Sequence, residues 1–298
     1  MKKIYIISVF IFILISSCFF SGCNNLFSNN KKQSTITNNT LNQSNEKLMM
    51  SNIKALAISN RWVGSDNEKK ACEYIKNKLQ SYGYKTQIQT FPMPTDYAPN
   101  GKSKLNNSQN IIAINNSNSN HNKKVVIICA HYDCDKTSVG ANDNASGVSV
   151  VMECARLLKN VSSDYELKFI FFSGEEIGGL GSRQYIKNLS SDDKKNIKAV
   201  INIDSIAQKD GGKPCIFTVN GNNNFATMLL RKVPKYMVVK KMSKELSDYT
   251  IFDEAGIPSL CIGQVYDKNL KINGPKDTIS LIDESKLKLV ADIIINSF

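Results

Sequence analysis

Histidine is scarce. The 298-residue chain contains only His121 and His131. A metal centre built on three histidines is therefore excluded, and no His-Glu-x-x-His motif occurs. The Gly-x-Ser-x-Gly turn that presents a serine nucleophile is absent, as is the Gly-x-x-x-x-Gly-Lys-Ser/Thr loop that cradles phosphates. No internal repeat is visible, and no cysteine stands in Cys-x-x-Cys spacing. Nor are the lysines interleaved with aromatic residues, so base stacking is not indicated and no nucleic-acid partner is expected. What is present is a globular composition, 42% hydrophobic and 21% charged, with a net charge of +12. The basic balance fits attraction to an anionic envelope.

The first residues read as an export signal. Lys2 and Lys3 precede an apolar stretch from Ile4 to Phe20, followed by Ser21-Gly22-Cys23. The stretch is interrupted by Ser8, Ser16 and Ser17 and falls short of the roughly 20 residues that span a bilayer. A cysteine after small residues resembles a bacterial lipobox, which would make Cys23 the lipidated first residue of the mature chain. Cys18 and an uncleaved anchor are the alternatives. Losing residues 1–22 removes Lys2 and Lys3 and leaves +10. Residues 23–46 are rich in Asn, Ser, Thr and Lys, too polar to offset the entropy of ordering, and read as a flexible tether. The folded domain is expected over 47–298. Its six cysteines, Cys72, Cys129, Cys134, Cys154, Cys215 and Cys261, are expected as buried free thiols.

Strand and helix patterns alternate through this domain. Ala71, Tyr74, Ile75 and Leu79 recur at helical spacing within 66–82, and Val148, Val151, Met152, Ala155 and Leu158 mark a second helix. A third is expected over 284–296. Strands are predicted at 86–91, 110–114, 125–130, 169–172, 199–203, 216–219 and 259–262. The continuous apolar run Val125–Ala130 suits a strand covered on both faces. The alternation predicts an α/β fold: one domain with a mixed, largely parallel sheet and helices on both faces.

Polar clusters follow directly on the buried runs: His131-Tyr132-Asp133 after one, Ser173-Gly174-Glu175-Glu176 after the next, Asp204-Ser205 after a third. Gly140–Gly147, reading Gly-Ala-Asn-Asp-Asn-Ala-Ser-Gly, precedes the second helix. Ligands bind outside the carboxyl ends of strands in open α/β sheets. Carboxylates crowded there repel one another unless protonated or neutralised by a divalent ion. In this order, with Ser247-Asp248, Ala255–Pro258 and Pro275–Thr278 behind them, the motifs resemble the co-catalytic zinc aminopeptidases of metallopeptidase family 28. The resemblance runs from about Arg61 to the C-terminus and implies a zinc-exopeptidase-like domain.

That resemblance implies roles. His131 and Asp204 would hold one zinc, and Asp143 would bridge it to a second that also takes Glu176. Asp133 would orient the His131 ring through its other nitrogen. Glu175 would be the general base toward the attacking water. The implied substrates are peptides with a free N-terminus, met at the outer face of a membrane that holds the protein by a lipid on Cys23. One position departs from the family pattern His-Thr-Pro-x-Asp-Thr. This chain reads Asn273-Gly274-Pro275-Lys276-Asp277-Thr278, so Asn273 stands at the last ligand, and His121, expected on the surface, is too distant to replace it. An amide oxygen is a weaker zinc ligand than imidazole. One tight zinc and a second ion that is weak or different are therefore expected. The rival is a catalytically silent relative that binds peptides or a partner. Glutaminyl cyclases, which keep one zinc through equivalents of Asp143, Glu176 and the missing histidine, fit Asn273 poorly. Side-chain preference and oligomeric state are not written in these motifs.

Overall fold

Three of the buried runs predicted from the sequence stand side by side at the centre of one sheet. These are β3 (Val125–His131), β4 (Glu166–Phe172) and β5 (Ile197–Ile203), joined by β8 (Ser259–Gln264). In the computed structural model, residues 43–97, 107–115, 123–242, 247–265 and 268–298 are described. The expected signal, Cys18, Cys23, most of the tether and His121 lie outside them. The unit Ser44–Phe298 carries the fold. The remaining strands are β1 (Lys85–Pro92), β2 (Asn107–Ile114), β6 (Pro214–Thr218) and β7 (Val239–Lys241). The order across the sheet is β1-β2-β4-β3-β5-β8-β6-β7. β4, β3, β5 and β8 run parallel, while β1 with β2, β2 with β4, and β6 with β8 pair antiparallel.

Eight helices are described: α1 (Glu46–Leu56), α2 (Asp66–Ser81), α3 (Gly147–Leu158), α4 (Leu180–Lys187), α5 (Ser191–Asn196), α6 (Phe225–Leu229), α7 (Asp248–Glu254) and α8 (Glu284–Ile295). The two-residue period of β3 sorts its side chains. Val126, Ile128 and Ala130 join the larger core with residues of α1, α2, α3 and α8. Val125, Ile127 and Cys129 join the smaller one with Tyr185 of α4 and Phe252 of α7. Both faces are thus covered, which is why this strand could be apolar throughout. No helix among the described residues is long and apolar enough to cross a membrane. The six cysteines of the domain are buried and free.

Helix α1 begins where the polar segment was expected to end. Asn45 caps it by accepting from the Leu48 N–H at 3.0 Å. The Asn45 N–H itself donates to Glu153 Oε1 at 2.7 Å. Helix α2 starts from Ser65, whose hydroxyl accepts from the Glu68 N–H at 3.1 Å, while Glu68 Oε2 accepts from the Gly64 N–H at 2.7 Å. Local polar residues thereby satisfy one orphan amide in the first turn of each helix.

Candidate metal centre

The parallel register sets His131 opposite Phe172 and brings the ends of β3, β4 and β5 to one edge. Each strand delivers its cluster there. His131 closes β3, and Tyr132 and Asp133 follow it. Gly174, at φ 77°, turns the chain out of β4 into the short helical turn Glu175–Ile177. Asp204 follows β5 directly. Asp143 lies in the irregular turn Ala141–Ser146, which opens α3 and in which Asp143 and Asn144 leave helical geometry. Its peptide bond to Asn144 is cis. Glycine is required at both ends of this turn. A Cβ on Gly140 would lie 2.4 Å from the Asp143 carbonyl oxygen, and one on Gly147 would lie 2.3 Å from that of Ile203.

His131 is fully buried among carboxylates. Its Nε2 lies 3.1 Å from Asp143 Oδ1, 3.5 Å from Asp204 Oδ1 and 4.0 Å from Glu175 Oε2. Its Nδ1 lies 3.4 Å from Asp133 Oδ1. Neither ring nitrogen has a hydrogen-bond partner. The donor atoms of His131, Glu175 and Asp204 all lie within 4.8 Å of one another. The family pattern puts Asp143 rather than Glu175 beside these two. Asp133 also supports the neighbouring loop, since its two oxygens accept from the Glu175 and Glu176 N–H groups, both at 3.3 Å. It thereby holds the turn that carries both glutamates.

Burial dominates the electrostatics. It pushes Glu175 well above the usual carboxylate range, with His131 opposing and Asp204 adding to the rise. Burial, and next the neighbouring Asp143, push Glu176 up to about 9. Asp143 is raised by burial and then by Asp204. Asp204 goes the other way. Burial would raise it, but the His131 charge and hydrogen bonds from Ser247 and Ser205 hold it below its ordinary value. For His131, burial acts downward, yet Glu175 and Asp204 hold it well above. Such a cluster takes up either protons or a divalent cation. An unpaired buried imidazole facing three carboxylates fits the second.

Asn273 belongs to this edge. With its amide assigned nitrogen-inward from these neighbours, its side chain lies 3.1 Å from Asp143 Oδ2 and 3.2 Å from Glu176 Oε1. Its φ of 52° is a conformation that asparagine adopts more readily than most residues. A cavity of about 280 Å³ opens here, lined by Asp143, Glu175, Glu176, Asp204 and Asn273 among others.

The sequence motifs assign no role to the supporting residues. Asp277 accepts from the Asn142 N–H at 2.7 Å and the Asp143 N–H at 2.9 Å, and burial pushes it up to about 7. Ser247 donates to Asp204 Oδ2 at 2.7 Å. Asp248, also buried and pushed up to about 7, and Asp277 both lie in motifs that carry the family resemblance. Glu68 accepts from Ser108 and from Ser173, each at 2.5 Å, and so ties α2 to the residue before Gly174. Buried Arg61 donates to the carbonyls of Tyr132, Leu56, Val139 and Gly140. The Ser65-x-x-Glu68 spacing is a visible capping signal, whereas nothing local marks Arg61 as buried.

Comparison with known proteins finds aminopeptidase relatives and structures of the same fold. The chain is 33% identical over 196 residues to the aminopeptidase YwaD of Bacillus subtilis, a match covering 63% of this chain and 43% of that protein. Identity to the probable lipoprotein aminopeptidase LpqL of Mycobacterium tuberculosis is 37% over 120 residues, 39% of this chain and 23% of that one. The matched regions thus span less than half the length of either relative. A solved zinc aminopeptidase from Bacillus subtilis shares the fold, with a TM-score of 0.76 at 20% identity, covering 86% of this chain and 95% of that one. The family model of peptidase family M28 matches residues 110–298, more than half of the chain, a span within which every candidate metal ligand lies. The chain belongs to peptidase family M28.

Proposed function

We propose that this protein is a zinc-dependent aminopeptidase, tethered by a lipid on Cys23 to the outer face of a membrane, that removes N-terminal residues from peptides. The observation that carries the reading is His131: buried, unpaired, and within 3.1 to 4.0 Å of Asp143, Asp204 and Glu175. His131, Asp143 and Asp204 would hold one zinc, with Glu176 and Asn273 at a second position. Bound zinc supplies Lewis-acid polarisation of a peptide carbonyl and acidifies a water. Asp133 orients the imidazole and fixes the turn of Glu175 and Glu176. Glu175 Oε2, 4.0 Å from His131 Nε2, would take a proton from the attacking water and return it to the leaving amine. A cavity of about 280 Å³ suits the end of a peptide.

The amide of Asn273 brings no nitrogen ligand to the Asp143–Glu176 position, which supports one tight zinc and a second, easily lost ion. The tether is supported by the lipobox-like Ser21-Gly22-Cys23 and by similarity to a probable lipoprotein aminopeptidase. Metal content of the purified protein, measured beside hydrolysis of a set of amino-acid arylamides, tests the activity. Bound zinc with turnover is expected. Bound zinc without turnover of any arylamide would favour the silent, peptide-binding relative.

A further inference from the structure

A second cavity, about 600 Å³, lies at the other edge of the sheet. Lys124, Lys194, Lys195 and Lys198 wall it over an apolar floor that includes Phe225 and Ile257, and among the described residues no carboxylate lines it. Lys124 precedes β3, Ile197 opens β5 and Pro258 precedes β8, so this is the edge where the central strands begin. Seven-residue strands at about 3.3 Å per residue put it roughly 20 Å from the metal centre. Of these four lysines only Lys195 has an ion pair among the described residues, with Asp192 at 3.8 Å, and both partners are largely exposed.

Other features share the edge. Helix α8 starts beside Ala207, just after β5, and ends at the opposite side of the sheet. There the Arg231 N–H donates to Ser297 Oγ, and Lys232 Nζ to Asn296 Oδ1. Met228, 69% exposed, follows Phe225 by three residues and so shares its helix face. Ser44, where the folded unit begins, is also fixed near this end of α8, its N–H and hydroxyl both bonding Asp292 Oδ1.

We propose that this edge is a docking surface for the anionic phospholipid headgroups of a membrane, with the metal centre facing away from it. The lysine rim is complementary to lipid phosphates, and Met228 is placed to enter the headgroup layer. The folded chain also starts here, so a tether from Cys23 would bring this edge to the bilayer. The biological setting rests on the proposed lipid anchor, but the docking chemistry does not.

Residues 44–298, which contain the whole core described above and lack Cys23, separate the two. They are sedimented with vesicles of phosphatidylcholine, with and without phosphatidylglycerol. Binding is expected only with the anionic lipid. Each lysine removed should cost about fivefold, so Lys194→Gln/Lys195→Gln/Lys198→Gln should weaken binding on the order of 100-fold. The same charge removed at the metal edge, Lys268→Gln/Lys271→Gln/Lys276→Gln, should change it by about twofold at most. Melting temperatures check that each variant is folded. Absence of binding, equal binding to both vesicles, or equal loss in the two triple variants would overturn the proposal. So would equal affinity for polyglutamate, which would mark the surface as one for acidic polypeptides.

Discussion

Glu175 lies 4.0 Å from His131 Nε2 and is the expected base, yet it also shares a close donor set with His131 and Asp204. If it is the base, Glu175→Gln should lower turnover by about 10²–10⁴-fold while zinc content is unchanged. Loss of zinc in that variant would make Glu175 a ligand and exchange its role with Glu176. Asn273→His places imidazole against Asp143 and Glu176, on a backbone conformation that histidine also tolerates. This variant should retain a second metal through dialysis that strips the wild type, and should gain activity when metal is limiting. A wild type that keeps two equally tight ions would refute the account of Asn273.

At the scale of elements, the scaffold beneath the site makes its own predictions. Glu68 sits at the first turn of α2 and reaches Ser173 beside β4. Burial raises its pKa from 4.5 to about 7. The folded state therefore binds protons more tightly here than the unfolded chain does. Glu68's contribution to stability is full below about pH 4.5 and is lost as pH rises through about 7. Glu68→Gln should flatten that decline in denaturant melts taken at stepped pH, and an unchanged slope would remove Glu68 as its source. Arg61→Ala should cost on the order of 3–5 kcal/mol, since it leaves four carbonyls without their cationic donor. β3 is legible in the sequence because a strand buried on both faces is apolar throughout; β4 and β5 show through their mainly apolar stretches Phe169–Phe172 and Ala199–Ile203, whose polar sequels stand out against that background. Helical spacing shows α2, α3 and α8. Helix α1 is hidden behind the polar segment that precedes it, and α4 to α7 are too short for periodicity to register. Arg61 and Glu68 look like surface residues because burial of a charge is decided by distant partners, here the turn after β3 and Ser173.

At the scale of the whole molecule, the sheet separates the edge of the proposed metal centre from a basic edge, and the proposed lipid on Cys23 would hold the chain at a membrane. Cys23→Ala should abolish incorporation of a labelled fatty acid, whereas unchanged labelling would move the anchor to Cys18. The proposed catalytic zinc site around His131 can be emptied with a chelator and refilled by titrating zinc back, while arylamide hydrolysis and bound zinc are followed together. Hydrolysis should disappear with the metal and return in proportion to about one tightly bound zinc per chain. Hydrolysis that persists in the stripped protein, or zinc that fails to rebind at this site, would contradict this assignment.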